Sequence, residues 1–148
     1  MCGIFGVANH PEASIITRLG LFSLQHRGEE SAGIMTLRNG RCEIHKGMGL
    51  VSEVFARMPS EWWKNPQKMA VGHVRYSTYG KSTLANAQPF MVEFDKWQLG
   101  LAHNGNISDA GPKRRSLKSQ GAIFQGDLDT ELILHLAARC HKSGDTPW

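Results

Sequence analysis

Cys2-Gly3-Ile4-Phe5-Gly6-Val7-Ala8 opens the chain as a short apolar run with small glycines between its larger residues. Such a run predicts a buried strand over Gly3–Ala8. The residue before the strand matters as much as the strand. Removal of Met1 would leave Cys2 with a thiol and a free α-amine on one residue. An α-amine has a pKa of ~7.7–8.0 and a thiol one of ~8.5, so the amine can serve as base near neutrality. A nucleophile of this kind needs no separate histidine. A small apolar cysteine is equally at home in a core, so the rest of the chain has to decide between these.

Working outward, Ile15, Ile16, Leu19 and Phe22 recur at helical spacing and predict a helix over 14–25. Residues 32–37 and 41–45 flank Asn39-Gly40, a pair suited to a type I′ hairpin turn because both positions need positive φ. A short element is expected within 48–55, and loop or irregular helix over 59–67, where Trp62-Trp63 reads as packing. Residues 68–75 and 97–103 read as buried strands ending in polar residues. Gly-, Ser- and Asn-rich stretches follow them at 79–86 and 104–111. Leu132, Ile133, Leu136, Ala137 and Cys140 share one face of a helix starting near Asp129. Strands and helices without repeat or linker imply one α+β unit.

Composition narrows the class. With 148 residues, 41% hydrophobic and 16 glycines, the chain can bury a real core and is neither disordered nor fibrous. It has no apolar run near the ~20 residues of a membrane span and no charged leader before an apolar segment, so a cytoplasmic protein is expected. Cys2, Cys42 and Cys140 form no CxxC pair, which favours neither disulfides nor zinc, and Cys42 and Cys140 are expected in the core. Net charge is 17 − 13 = +4, and the basic residues cluster only at Lys113-Arg114-Arg115 with Lys118. That cluster lacks the interleaved aromatics of a nucleic-acid platform and is read as a solvated face. Neither nucleic acid nor membrane is expected as a partner.

Five segments then stand in order. They are Cys2-Gly3-Ile4-Phe5-Gly6, Gln25-His26-Arg27-Gly28, Gly72-His73-Val74-Arg75-Tyr76-Ser77-Thr78, Ala102-His103-Asn104-Gly105-Asn106 and Leu128-Asp129-Thr130-Glu131. In order and spacing the set resembles the class II glutamine amidotransferases, over nearly the whole chain from Cys2 to about Arg139. Within them it is most similar to the purine-pathway branch that carries a phosphoribosyltransferase domain. Tyr76-Ser77, Gln88-Pro89-Phe90 and Asn106 carry that finer likeness. The fold this resemblance implies is the four-layer αββα sandwich of N-terminal nucleophile hydrolases, incomplete at its C-terminal end. Residues 1–148 would then be a truncated glutaminase domain, with the phosphoribosyltransferase domain absent.

The resemblance also implies roles. Cys2 is the expected nucleophile toward the glutamine side-chain amide, giving a γ-glutamyl thioester and ammonia. Asn104 and the backbone N–H of Gly105 are the expected oxyanion hole, each donor worth ~2.7–4 kcal/mol in such sites. Arg75 is expected to grip the substrate α-carboxylate and Asp129 the α-ammonium, with Tyr76 and Thr78 also on the substrate. His26, Arg27, Gly28 and His73 are expected to line or support the pocket near Cys2. The stretch from Tyr76 to about Asn86 is expected to be a loop that closes over glutamine. No metal or other cofactor is implied for this chain, whereas Mg2+ is implied for the absent domain. That domain, in cis, is the expected acceptor of ammonia, converting phosphoribosyl pyrophosphate to phosphoribosylamine. The complete enzyme is expected to be a homo-oligomer.

Other readings stand beside these. Without the resemblance Arg75 is a strand-end surface charge and Asp129 a helix N-cap. The three histidines at 26, 73 and 103 are as readily packed and hydrogen-bonded as metal-bound. Leu128 departs from the family, which commonly has Ser there. Ammonia could go to a sugar phosphate or aspartate acceptor, and a catalytically silent glutamine-binding or assembly module would show the same motifs.

Overall fold

The computed structural model describes residues 1–77 and 80–143, the last three by backbone alone. Four antiparallel strands form the main sheet: β1 (Gly3–Ala8), β2 (Ser31–Arg38), β3 (Arg41–Met48) and β4 (Met69–Arg75). Their spatial order is β1-β4-β2-β3. The β2–β3 turn has Asn39 at φ 50° and Gly40 at φ 76°, the doubly positive geometry expected of Asn-Gly.

Alternation along the strands gives the sheet two different faces. On one face Ala32, Ile34, Ala70 and Val74 are buried in a core with Val51, Val54 and Phe55. Helix α1 (Ala13–Ser23) lies over β1 and β4, where Gly20 receives the Phe5 ring and Gly72 receives Leu21 and Thr17. Helix α2 (Val51–Ala56) sits over β2 and β3, with Val54 against Gly47. The short α3 (Ser60–Lys64) brings Trp63 to Phe55 at 5.7 Å between ring centroids, so the tryptophan pair packs as expected.

On the other face, Gly33 and Met35 of β2 meet Gln88, Pro89 and Gly100. These belong to the second sheet, a hairpin of β5 (Phe90–Phe94) and β6 (Trp97–Leu101), or to the segment entering it. Beyond the hairpin lie α4 (Ala110–Ser119) and α5 (Thr130–Ser143), and Phe90, Leu128 and Leu134 form a second core with Val92, Leu99 and Leu101 around it. Helices, sheet, hairpin and helices thus stack as the four-layer α+β sandwich. The hairpin covers only part of the main sheet's inner face. Ile4, Leu37 and Met69 on that face are 36%, 40% and 50% exposed.

Several expectations change. Strand β5 was not foreseen, although Phe90 and Val92 alternate with Met91 and Glu93. The basic cluster lies on α4, but Arg114 is not solvated: it donates to Leu128 O at 2.9 Å, to Gly126 O and to Glu131 Oε2 at 3.3 Å. Cys42 and Cys140 are half-buried and belong to neither core. Leu128 takes a place in the second core, which accounts for an apolar residue there.

Candidate active site

Strand register assembles the site. Gly3 pairs with Val74, so one step further Cys2 stands level with Arg75 at the adjoining strand ends. Because side chains alternate, both belong to the inner face, with Ile4 and His73. Ser31 pairs with Arg75 from the other side, which brings the turn before β2 to the same corner. The exit of β6 delivers residues 103–107, and the start of α5 delivers Asp129 and Thr130. A cleft at this corner is lined by Cys2, Arg75, Tyr76, Gly105 and Asp129, with Gln88, His103, Leu128 and Thr130 completing it.

Each group has a local reason for its position. The Arg27 Nε donates to the Cys2 carbonyl at 3.0 Å, fixing the backbone of the strand's first residue. The Cys2 thiol is directed to the Tyr76 carbonyl at 3.5 Å. Arg75 is buried, with only 2% exposure, and Nη1 donates to Glu30 Oε2 at 3.1 Å. Asp129 is also buried and occupies the position just before α5. Its Oδ2 accepts the Ile107 N–H at 2.6 Å, so the acid helps shape the loop that carries Asn104 and Gly105.

Gly28 supports this corner by being small. A Cβ there would stand 2.6–2.7 Å from the Arg75 backbone N, C and O atoms. Backbone cannot yield as a side-chain tip can. Gly28→Ala is therefore expected to cost about 1–3 kcal/mol by overpacking, measured as a lower urea midpoint.

His73 lies behind the cleft and is fully buried. Its Nε2 is 3.2 Å from the His103 carbonyl, which can only accept, so Nε2 carries the proton. Its Nδ1 is buried without a hydrogen-bond partner among the described residues. Burial, offset in part by the His103 bond and reinforced by Arg75 and His103, lowers its pKa from 6.5 to about 4. The unfolded chain therefore binds the extra proton between about pH 6.5 and 4, and stability falls as pH falls through that window. The loss at the acid end is on the order of 3 kcal/mol. His73→Asn is expected to flatten the slope of unfolding free energy against pH in that range.

Gln88 fixes the same loop: its Oε1 accepts the His103 N–H at 2.7 Å and its Nε2 donates to the His103 carbonyl at 3.3 Å. His103 Nδ1 is 3.3 Å from the Thr130 hydroxyl, and its Nε2 would stand 2.8 Å from a Cβ on Gly105. The imidazole thus packs under Gly105, and a side chain there would have to displace its tip.

Not every predicted site residue reaches the cleft. His26 is exposed and does not line it, because the turn after α1 directs that side chain outward. Arg27 and Gly28 touch the backbones of Cys2 and Arg75 rather than the cleft. Asn104 stands between two lining residues with an exposed side chain. Thr78, and Tyr79 of the proposed closing loop, lie outside the described residues. Sequence reasoning gave Thr130 no role in its own right and passed over Glu30. An acid directly before a strand, two residues after the Gly28 close approach, was the available signal. Among the described residues no group of three or more His, Cys, Asp or Glu side chains could hold a metal ion.

Comparison with known proteins agrees with this geometry. Residues 44–143 match the model of the family described as glutamine amidotransferases class-II. The chain belongs to that family. An amidophosphoribosyltransferase of Lacticaseibacillus casei is 48% identical over 138 residues, covering 93% of this chain and 71% of that protein. The amidophosphoribosyltransferase of Staphylococcus aureus strain COL is 45% identical over 138 residues, covering 93% of this chain and 28% of its own length. The solved glutamine phosphoribosylpyrophosphate amidotransferase of B. subtilis, complexed with ADP and GMP, aligns with a TM-score of 0.82 and 43% identity. That match covers 94% of this chain and 29% of the other. A structure described as the allosteric regulatory enzyme of purine biosynthesis aligns with a TM-score of 0.83 and 42% identity, over 94% and 30%. The chain therefore spans under a third of the S. aureus relative and of both solved chains. No described helix is long and apolar enough to cross a membrane.

Proposed function

We propose that this chain is the glutamine-hydrolysing portion of an amidophosphoribosyltransferase. The observation that carries the reading is the convergence of Cys2, Arg75, Gly105 and Asp129 on one cleft from four separate elements. A buried cation and a buried carboxylate in one small cleft suit the two charged ends of an amino acid.

The chemistry follows from these placements. With Met1 removed, the Cys2 α-amine takes the thiol proton and sulfur attacks the side-chain amide carbon of glutamine. The C=O electrons move to oxygen, which is stabilised by the Gly105 N–H and by the Asn104 amide turned in from solvent. Collapse breaks the C–N bond, and the nitrogen leaves as ammonia with the proton held by the α-ammonium. Water then adds to the thioester with the amine again as base, releasing glutamate and restoring the thiol. Arg75 and Asp129 hold the substrate and take no part in bond changes.

In the complete protein the ammonia meets phosphoribosyl pyrophosphate on a phosphoribosyltransferase domain in cis, displacing pyrophosphate to give phosphoribosylamine. Mg2+ belongs with that domain, and no step in this chain is routed through it. The relatives' names and the extent of the match support this assignment. A cytoplasmic homo-oligomer is the form proposed for the complete enzyme.

The test is covalent labelling. A diazo-ketone analogue of glutamine is expected to modify Cys2 saturably, with glutamine protecting, as read by peptide mass. Labelling that persists in Cys2→Ala overturns the assignment.

A further inference from the structure

Glu30 gathers contacts that no role described so far explains. Its carboxylate accepts from four donors on three residues. Oε2 takes Arg75 Nη1 at 3.1 Å and the Ser82 hydroxyl at 3.1 Å. Oε1 takes the Ser77 N–H at 2.9 Å, and the Ser77 hydroxyl also donates to Oε2. Its backbone is held as firmly, the N–H donating to Arg75 O at 3.1 Å and the carbonyl accepting from Gly49 N at 2.8 Å. Glu30 is thus fixed by backbone bonds to the end of β4 and to the residue after β3.

Of the groups it holds, Arg75 lines the cleft, while Ser77 and Ser82 do not. Arg75 is the cation for the α-carboxylate. Ser77 directly follows Tyr76, which lines the cleft, and Ser82 lies five residues further along the chain. Partial burial raises the Glu30 pKa, but the Ser77 and Ser82 bonds and the Arg75 charge outweigh it, leaving the carboxyl below its ordinary value. Glu30 is therefore anionic at neutral pH, which its four donors require.

We infer that Glu30 is a positioning residue for substrate binding, orienting the Arg75 guanidinium and tying both Ser77 and Ser82 to it. A guanidinium is planar, so the Nη1 bond to Glu30, with Nη2 directed to the Gly80 carbonyl at 3.5 Å, sets its plane. A bidentate carboxylate grip depends on that orientation. Ser77, Ser82 and the Arg75 cation thus share one carboxylate. Glu30 touches neither the reacting amide nor the thiol, so its effect falls on binding and not on sulfur chemistry.

The inference rests on the glutamine reading above, and the experiment separates the two. Saturation kinetics of Cys2 labelling by the diazo-ketone analogue give an apparent dissociation constant and a limiting rate. Iodoacetamide, which carries no α-carboxylate, reports the thiol alone. Glu30→Gln is expected to raise the dissociation constant on the order of 10–100-fold, the scale of a lost charge-assisted contact. The limiting rate and the iodoacetamide rate should stay within about threefold, since nothing at sulfur changes. Glu30→Asp, with the charge on a shorter stem, should recover part of the loss; if Glu30→Gln does not fold, the same constant read in Glu30→Asp, expected to rise roughly 3–10-fold, carries the test.

An unchanged or tighter dissociation constant in either folded variant overturns the inference, tighter binding meaning that Glu30 competes with the substrate carboxylate. Equal losses toward both reagents overturn it too, because they mark general loosening. A wild-type chain without saturable, glutamine-protected labelling brings down the glutamine reading and this inference with it.

Discussion

Cys2→Ala is expected to reduce glutamine hydrolysis by at least ~10⁴-fold while leaving glutamine affinity within about threefold. The loss is large because Cys2 carries the only thiol among the described residues lining the cleft. Arg75 and Asp129 are bonded to Glu30 and to the Ile107 N–H, and His73 is neutral and turned to a carbonyl. Affinity survives because those same holding groups do not touch sulfur. A chain that keeps Met1 should behave like Cys2→Ala. Its Cys2 nitrogen is an amide, which cannot take the thiol proton. Met1 is 71% exposed, so the bond to be cut is accessible to a processing peptidase. Intact mass and hydrolysis rate measured on the same sample check both statements. Full activity in chains retaining Met1 would exclude the α-amine as base.

Much of this corner was legible in the sequence, for reasons that differ by element. β1, β4 and the Asn39-Gly40 hairpin follow from local patterning: two apolar runs and one turn with a stringent φ requirement. Only β4 is largely buried, however, since β1 is an edge strand with Gly3 alone buried. The ends of those strands carry Cys2 and Arg75, and antiparallel pairing alone then sets them side by side. Asp129 was equally visible because it precedes a periodic helix. Its bond to Ile107 was not, since that contact crosses from a helix start to a loop distant in sequence. Gln88 was visible as part of a motif but not as the clamp on His103, a contact between backbone and side chain that no periodicity encodes. Glu30 failed to stand out because an acid before a strand is ordinary in sequence. Only the fold gathers Ser77, Ser82 and Arg75 around it. His26 erred the other way, since neighbours in a motif need not face the same side.

Asp129 has one observed role and one proposed role, which substitution can separate. As the proposed partner of a substrate ammonium, it would contribute a negative charge inside a buried site. As the acceptor for the Ile107 N–H at 2.6 Å, it shapes the loop that presents Gly105. Asparagine keeps an acceptor oxygen in the same place and loses only the charge. Asp129→Asn should therefore raise KM for glutamine steeply, since removing one member of a buried charge pair costs about 2–5 kcal/mol, roughly 30- to 5,000-fold. Its kcat and unfolding midpoint should change little. Alanine removes the acceptor as well, leaving a buried N–H unpaired at a further cost of about 1–3 kcal/mol. Asp129→Ala should accordingly lower stability and kcat as well as raising KM, because the Gly105 donor is no longer aimed at the developing oxyanion. The comparison is made by steady-state hydrolysis and thermal unfolding of both variants. If Asp129→Asn lowers kcat as far as Asp129→Ala does, the charge itself aims the loop. If neither variant moves KM, Asp129 does not meet the α-ammonium, and its place in the cleft is that of a loop anchor alone.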